Sequence, residues 1–178
     1  MLGVRSAMNR EEIVLSSAVI TEKLLSLECV LRAKSVMAYY SHRNEPDLLE
    51  FMRRCIDMGK RVSLPCVSGK GEMAAAAYCS DTVMKNNVYG IPEPVITGET
   101  REEEPDIVIV PGVAFDERLY RIGFGKGYYD RFLVNTQAVK AGVCFDFQIV
   151  PDIGAQSHDV PMDIIITEKR ILGGQRCG

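Results

Sequence analysis

The chain has no apolar run long enough to span a membrane, which argues against an integral membrane protein. Its first residues, MLGVRSAMNREE, lack the apolar core of a secretory signal. There is no surplus of positive charge. The formal net charge is -3, which argues against general nucleic-acid affinity while leaving room for a local basic patch. The six cysteines (Cys29, Cys55, Cys66, Cys79, Cys144 and Cys177) include no CxxC pair, and most lie in apolar segments. They read as small buried hydrophobes, and a reducing cytoplasm is the default compartment. Histidine is scarce. His42 and His158 are the only two, and both read as packing or supporting residues rather than metal ligands. No internal repeat, low-complexity tract or linker divides the chain, so 1–178 reads as one domain with a sizeable core.

What is present is an alternation of helical and strand-like patterns. Asn9 before REEI resembles an N-cap with acidic residues in the first turn. Ile13, Val14, Ser17, Ile20, Leu24 and Leu27 then recur at helical spacing, which predicts a helix over about 10–27. KSVMAYY (34–40) reads as a buried strand. PDLLEFMRRCIDMGK (46–60) reads as a helix between Pro46 and Gly59, and RVSLPCV (61–67) as the next strand. The stretch 71–80 is undecided, because alanine suits either state, and 87–105 reads as a surface connection. DIVIVPG (106–112), VKAGVCF (139–145) and MDIIIT (162–167) read as further strands, with a helix at about 127–136. The fold class is therefore α/β, a mainly parallel sheet with helices on both faces in a three-layer, Rossmann-like arrangement.

The segment RIGFGKGYYDRF (121–132) carries the chemical signal. It lies between a strand and a helix, where open parallel sheets bind ligands and helix N-termini favour phosphate. A Walker loop needs GxxxxGK[ST], and Lys126 is followed by Gly127 at the wrong spacing. The dinucleotide fingerprint GxGxxG fits Gly123 and Gly125, but its third position falls on Tyr128. What remains is a loop in which Gly123, Gly125 and Gly127 let backbone approach a ligand closely. Arg121 and Lys126 add positive charge for phosphates, and Asp130 stands near enough to hold magnesium bound to them. Each residue alone also suits a tight turn or a helix dipole; the cluster is harder to explain that way.

The run DIVIVPGVAFDERLYRIGFGKGYYDRFL (106–133) closely resembles the signature of the 5-formyltetrahydrofolate cyclo-ligases, also called methenyltetrahydrofolate synthetases. AYYSHRNEPD (38–47), GKRVSLPCV (59–67), YGIPEP (89–94) and SHDVPMDIIIT (157–167) resemble further motifs of that family, in order. The resemblance implies an ATP-dependent C–N ring-forming ligase that uses magnesium and converts 5-formyltetrahydrofolate to 5,10-methenyltetrahydrofolate. It implies a nucleotide site formed by Arg121, Ile122, Gly123, Phe124, Gly125, Lys126, Gly127, Tyr128 and Tyr129. Arg121, Lys126 and Tyr128 would be catalytic. Phe124, Gly125, Lys126, Gly127 and Tyr128 would also touch the folate, with Glu45 bonded to the pterin and Tyr40 packed on it. Asp130 and Asp159 would bind Mg2+. A cytoplasmic monomer acting on a reduced folate, without nucleic-acid or membrane partners, is expected.

Two departures from the family pattern stand out. The family begins with a helix carrying a Lys-x-x-x-Arg pair that reaches the ATP; here Arg5 stands for the later arginine and the lysine has no counterpart. The expectation is a start upstream of Met1, or ATP held differently or more weakly. The family also has glycine where Leu119 stands. Leucine resists a positive φ, so another turn path and a shifted Arg121 are expected. These departures admit an alternative, a non-catalytic folate- or nucleotide-binding paralogue. A sugar-phosphate isomerase or transferase would rest on fold analogy alone.

Overall fold

The computed structural model describes residues 1–67, 72–88, 90–95, 104–156, 159–175 and 177. The chain opens with two short-linked helices, α1 (Leu2–Ala7) and α2 (Arg10–Ser26), then a single-turn α3 (Glu28–Arg32). Asn9 closes a full capping box at the start of α2: its side chain accepts from the Glu12 N–H, and the Glu12 carboxylate accepts from the Asn9 N–H. Ser17, Ile20 and Leu24 bury their side chains as the spacing predicts, whereas Val14 faces solvent. β1 (Ser35–Met37), α4 (Leu49–Asp57) and β2 (Arg61–Val67) follow as the expected strand–helix–strand unit. Gly59 ends it with φ +75, the left-handed conformation that favours glycine after a helix.

The alanine-rich stretch resolves as β3 (Met73–Tyr78), antiparallel to β2 from Val62↔Tyr78 to Val67↔Met73. β4 (Met84–Asn86), just before the expected surface connection 87–105, pairs in a small hairpin with β5 (Pro92–Pro94) within it. Then come β6 (Ile107–Pro111), β7 (Ala114–Asp116), β8 (Arg121–Ile122), α5 (Tyr128–Leu133) and β9 (Val139–Val143). A 3-10 turn (Asp146–Gln148), β10 (Ile149–Val150), β11 (Ile164–Ile166) and β12 (Ile171–Gly173) complete the chain. Among the described residues, no helix is long and apolar enough to cross a membrane.

The seven-stranded sheet has the order β12-β11-β9-β6-β1-β2-β3. β11, β9, β6, β1 and β2 run parallel, and β12 and β3 are antiparallel edges. One face carries Val36, Val62, Leu64, Ile107, Ile109, Val143 and Ile166, packed with Ile20, Leu24, Phe51 and Met52 of α2 and α4. The other carries Met37, Val108, Val110 and Ile165, packed with Leu133 of α5 and Phe115 of the small β10-β7-β8 sheet. The second covering layer is thus one short helix and a small sheet.

Strand order reverses between β1 and β6. From β1 the chain steps outward to β2 and β3; from β6 it steps the other way to β9, β11 and β12. The crevice beyond the carboxyl ends of these two neighbours is where an open α/β sheet binds ligand.

Leu119 corrects an expectation. It takes φ +72, so the turn keeps the left-handed conformation that leucine was expected to resist. Buried Asp116 holds the turn through the Arg118 and Tyr120 N–H groups at 3.0 and 2.9 Å, and its carbonyl accepts from the Leu119 N–H at 3.0 Å. The leucine side chain packs against the second cluster and over Gly173, where an added Cβ would come within 2.8 Å of it. That contact offsets a backbone cost of about 1–2 kcal/mol. Leu119→Ala is expected to lower unfolding free energy by about 1–2 kcal/mol, because it loses contacts and keeps most of the strain. Leu119→Gly is expected to stay within about 1 kcal/mol of the parent, because it releases the strain. Urea unfolding of both variants checks the ranking; glycine below alanine would show that no strain is stored there.

Candidate active site

The segments that leave β1 and β6 supply the two walls of the crevice. After β1, Tyr39 is buried and donates its hydroxyl to the Pro46 carbonyl at 3.0 Å. Arg43 and Asn44 both take positive φ, +50 and +58, and this sharp turn brings Glu45 inward. Glu45 is only 6% exposed. One carboxylate oxygen accepts from the His42 N–H at 3.0 Å; the other faces the Arg5 guanidinium at 3.7 Å. Burial pushes the Glu45 carboxyl from an ordinary 4.5 up to about 7, with Arg5, the His42 N–H and Arg43 pulling against it. Tyr40 is half-buried beside the first core cluster, near Tyr78.

Arg5 comes from α1 and is almost wholly buried. Its Nη1 donates to the Gly112 carbonyl at the exit of β6, at 3.2 Å. Its Nε and Nη2 are buried without a hydrogen-bond partner. The Phe124 ring lies over the guanidinium, 5.8 Å to the centroid. The α1 helix therefore stitches the two sides of the switch point together, with one buried cation between Glu45 and Gly112.

After β6 the chain forms β7 and β8 and reaches the glycine-rich loop. Arg121 is buried; it donates to the Asp130 carboxylate at 2.7 Å and stacks over Tyr129 at 5.4 Å. Its Nε has no hydrogen-bond partner. Burial lowers its pKa, while Asp130, Tyr129 and Asp159 pull the other way. Ile122 is exposed, and its carbonyl accepts from the Val113 N–H at 2.7 Å. A Cβ on Gly123 would come within 2.8 Å of the Arg121 guanidinium, so this glycine lets Arg121 fold back under the loop. Gly125 and Gly127 take φ +81 and +66, and the backbone between them presents exposed Lys126 at the loop tip. Gly127 caps α5, on which Tyr128 is half-buried under Arg131. The Tyr129 hydroxyl is buried without a partner, and burial raises its pKa well above the usual phenol value, with Glu45 adding to the shift.

Asp130 and Asp159 are both felt by Arg121, and both are partly exposed. Asp130 gives one oxygen to Arg121; Asp159 accepts from the Gln156 N–H at 2.8 Å. Among the described residues, no group of three His, Cys, Asp or Glu side chains could hold a metal ion. Two carboxylates instead suit a magnesium ion that arrives with phosphate oxygens and keeps its waters. His158 and Tyr89 lie outside the described residues.

The structure thus brings Glu45 near Arg5 and Tyr129, and Arg121 against Tyr129 and Asp130, and leaves Lys126 and Phe124 exposed on the glycine loop. Reasoning from residue types alone found the glycine loop but not Tyr39 or Gly112, and Arg5 entered only through the resemblance to the family's Lys-x-x-x-Arg helix. An arginine in MLGVRSAM gives no sign of burial until α1 is folded over the segments that leave β1 and β6.

Comparison with known proteins adds a direct finding. A model of the 5-formyltetrahydrofolate cyclo-ligase family matches residues 1–168. The probable 5-formyltetrahydrofolate cyclo-ligase of Schizosaccharomyces pombe is 33% identical over 165 residues, covering 79% of this chain and 78% of that protein. The 5-formyltetrahydrofolate cyclo-ligase of Haemophilus influenzae is 32% identical over 155 residues, covering 83% of each. The solution structure of the Aquifex aeolicus 5,10-methenyltetrahydrofolate synthetase superposes with a TM-score of 0.85 at 34% identity, covering 97% of this chain and 88% of that one. A solved structure of a Mycoplasma pneumoniae 5,10-methenyltetrahydrofolate synthetase gives a TM-score of 0.75 at 28% identity, covering 94% of this chain and 93% of that one.

Proposed function

We propose that this chain, which belongs to the 5-formyltetrahydrofolate cyclo-ligase family, closes the ring of its folate substrate in the crevice between β1 and β6. It converts 5-formyltetrahydrofolate to 5,10-methenyltetrahydrofolate with ATP, releasing ADP and phosphate. The non-catalytic alternative is not favoured: the family match runs through both walls of the crevice, and Leu119 keeps the turn that leads to Arg121.

The observation that carries the site assignment is the meeting of a buried carboxylate and a basic glycine loop at the strand-order reversal. Glu45 accepts the adjacent amino and ring N–H donors of the pterin, with Tyr40 packed beside the ring. Arg5 faces Glu45 and favours its ionised form against the cost of burial. The Arg5 Nε has no hydrogen-bond partner among the described residues, which leaves it able to meet a further anion and fits the phosphate chain. The loop from Arg121 to Tyr129 cradles the triphosphate, and Tyr128 lies beside the formyl group. The formyl oxygen attacks the γ-phosphorus, the β,γ-bridging bond breaks, and ADP leaves. Nitrogen 10 then attacks the imidate carbon and loses its proton, and phosphate departs from that carbon. A formyl oxygen on nitrogen is a poor nucleophile, so in-line positioning and charge neutralisation by Lys126 and Arg121 supply most of the acceleration.

Mg2+ would be held by Asp130 and Asp159 together with phosphate oxygens, and when bound it neutralises phosphate charge. Asp159→Ala is expected to raise the magnesium concentration for half-maximal activity by about tenfold. A magnesium titration at fixed ATP checks this; an unchanged midpoint would remove Asp159 from the metal site. The reaction itself is tested by the growth of the methenyl-folate absorbance with 5-formyltetrahydrofolate, ATP and magnesium, and by ADP release in step with it. No product with all three saturating would overturn the reading.

A further inference from the structure

We infer that Gln148 is a positioning residue for the reaction: its buried amide fixes the β6 exit on which Arg5 is oriented, and through Arg5 it sets the Glu45 carboxylate that faces the pterin. The inference rests on the reading that Arg5 and Glu45 belong to the substrate site.

Gln148 is 1% exposed and sits at the end of the 3-10 turn that follows β9. Its Oε1 accepts from the Phe145 N–H at 3.0 Å. Its Nε2 donates to the Gly112 and Val113 carbonyls, each at 3.0 Å. The amide has one orientation that satisfies all three contacts, because the opposite flip would face an N–H with a donor and two carbonyls with an acceptor. The Gly112 carbonyl is also the acceptor for Arg5 Nη1 at 3.2 Å, the one hydrogen bond of that guanidinium among the described residues. A Cβ at Gly112 would lie 2.5 Å from the Phe115 ring, so the backbone there is confined as well. Val113 in turn donates to the Ile122 carbonyl at 2.7 Å, at the root of the glycine loop. A single amide therefore holds the peptide that orients Arg5 on one side and anchors the loop on the other.

The consequence is specific. Without the amide donors the Gly112 carbonyl is free to turn, and Arg5 loses its fixed approach to Glu45. Among the described residues, Arg5, Arg43, Tyr39 and Tyr129 are the charged or titratable groups that face Glu45, and Arg5 pulls it toward its ionised form more strongly than Arg43 does. A loosened Arg5 therefore moves the acid limb of kcat/KM for the folate to higher pH.

The test is a double-mutant cycle on steady-state kcat/KM for 5-formyltetrahydrofolate, with full pH profiles. Gln148→Met is expected to lower kcat/KM by about fivefold to tenfold and Arg5→Lys by about tenfold. Combined, they are expected to cost no more than Arg5→Lys alone, with the acid limb shifted upward in each case. Multiplicative losses, or a Gln148→Met enzyme that melts earlier with unchanged kcat/KM and pH profile, would overturn the role of Gln148 alone. An Arg5→Lys enzyme with parent kinetics would overturn the site reading and this role together. Should Gln148→Met fail to fold, Gln148→Asn, which keeps an amide too short to reach both carbonyls, enters the same cycle with the same expected coupling.

Discussion

Replacing Lys126 with alanine is expected to lower kcat by about a thousandfold while each KM changes by less than about threefold. The expectation follows from where the backbone puts this residue. Gly125 and Gly127 both sit at positive φ, at +81 and +66, so the chain reverses around Lys126 and presents it at the mouth of the crevice. Arg121 is buried beneath the loop and donates to Asp130. A buried, paired arginine is a positive charge fixed in one place. An exposed ammonium on a flexible stem can follow charge as it moves from the γ-phosphoryl oxygens onto the bridging oxygen of the departing ADP. The interaction therefore strengthens between ground state and transition state, which lowers kcat rather than raising KM when it is removed. Single-turnover kinetics with saturating ATP would separate this from a change in product release. A variant with raised KM for ATP, unchanged kcat and a strong salt dependence would show that Lys126 only steers the nucleotide in.

The parts of the fold that could be read from the sequence are those where burial leaves a simple trace. Ile107–Val110 and Ile164–Ile166 are central parallel strands covered on both faces, so they read as unbroken apolar runs. The α2 helix announces itself through Asn9 and Glu12, which form the capping box their spacing implies. Met73–Tyr78 stayed undecided because four consecutive alanines carry no period and little propensity against either state. The small β10-β7-β8 sheet leaves no trace, since strands of two or three residues are too short for alternation to show. In the site, Gly123, Gly125 and Gly127 were legible because their spacing answers a backbone need. Leu119 was misjudged for a related reason: residue type speaks for φ, but only the folded chain shows the packing on Gly173 that offsets the strain. Gln148 and Arg5 reach Gly112 across 36 and 107 residues; no local pattern marks Gln148, and Arg5 was marked only by the family's Lys-x-x-x-Arg spacing, which says nothing of its burial.

Glu45→Gln is expected to move activity and stability in opposite directions. The folded carboxyl is raised from 4.5 to about 7, chiefly by burial. For a group raised in the folded state, the stability contribution is fully present below about pH 4.5 and is lost as the pH climbs through about 7. That interval corresponds to about 3 kcal/mol, an order-of-magnitude figure already net of the attraction from Arg5. A neutral amide of the same shape escapes the cost. The variant is therefore expected to gain about 2–3 kcal/mol over the parent at pH 8, and little near pH 5, where the parent carboxyl is protonated anyway. For a chain of this length that is a rise in Tm of roughly 5–10 °C at pH 8. The catalytic effect has the other sign. An amide offers one acceptor and one donor where the pterin presents two donors, so kcat/KM for the folate is expected to fall about a hundredfold. Urea unfolding at both pH values and steady-state kinetics read the two effects independently. A stabilised enzyme with parent kinetics would remove Glu45 from the pterin site while leaving its buried charge as a cost. A destabilised variant at pH 8 would mean that the Arg5 pair outweighs burial. The expected outcome, a more stable and less active protein, is what distinguishes a carboxylate held in place for its substrate from one held for the fold.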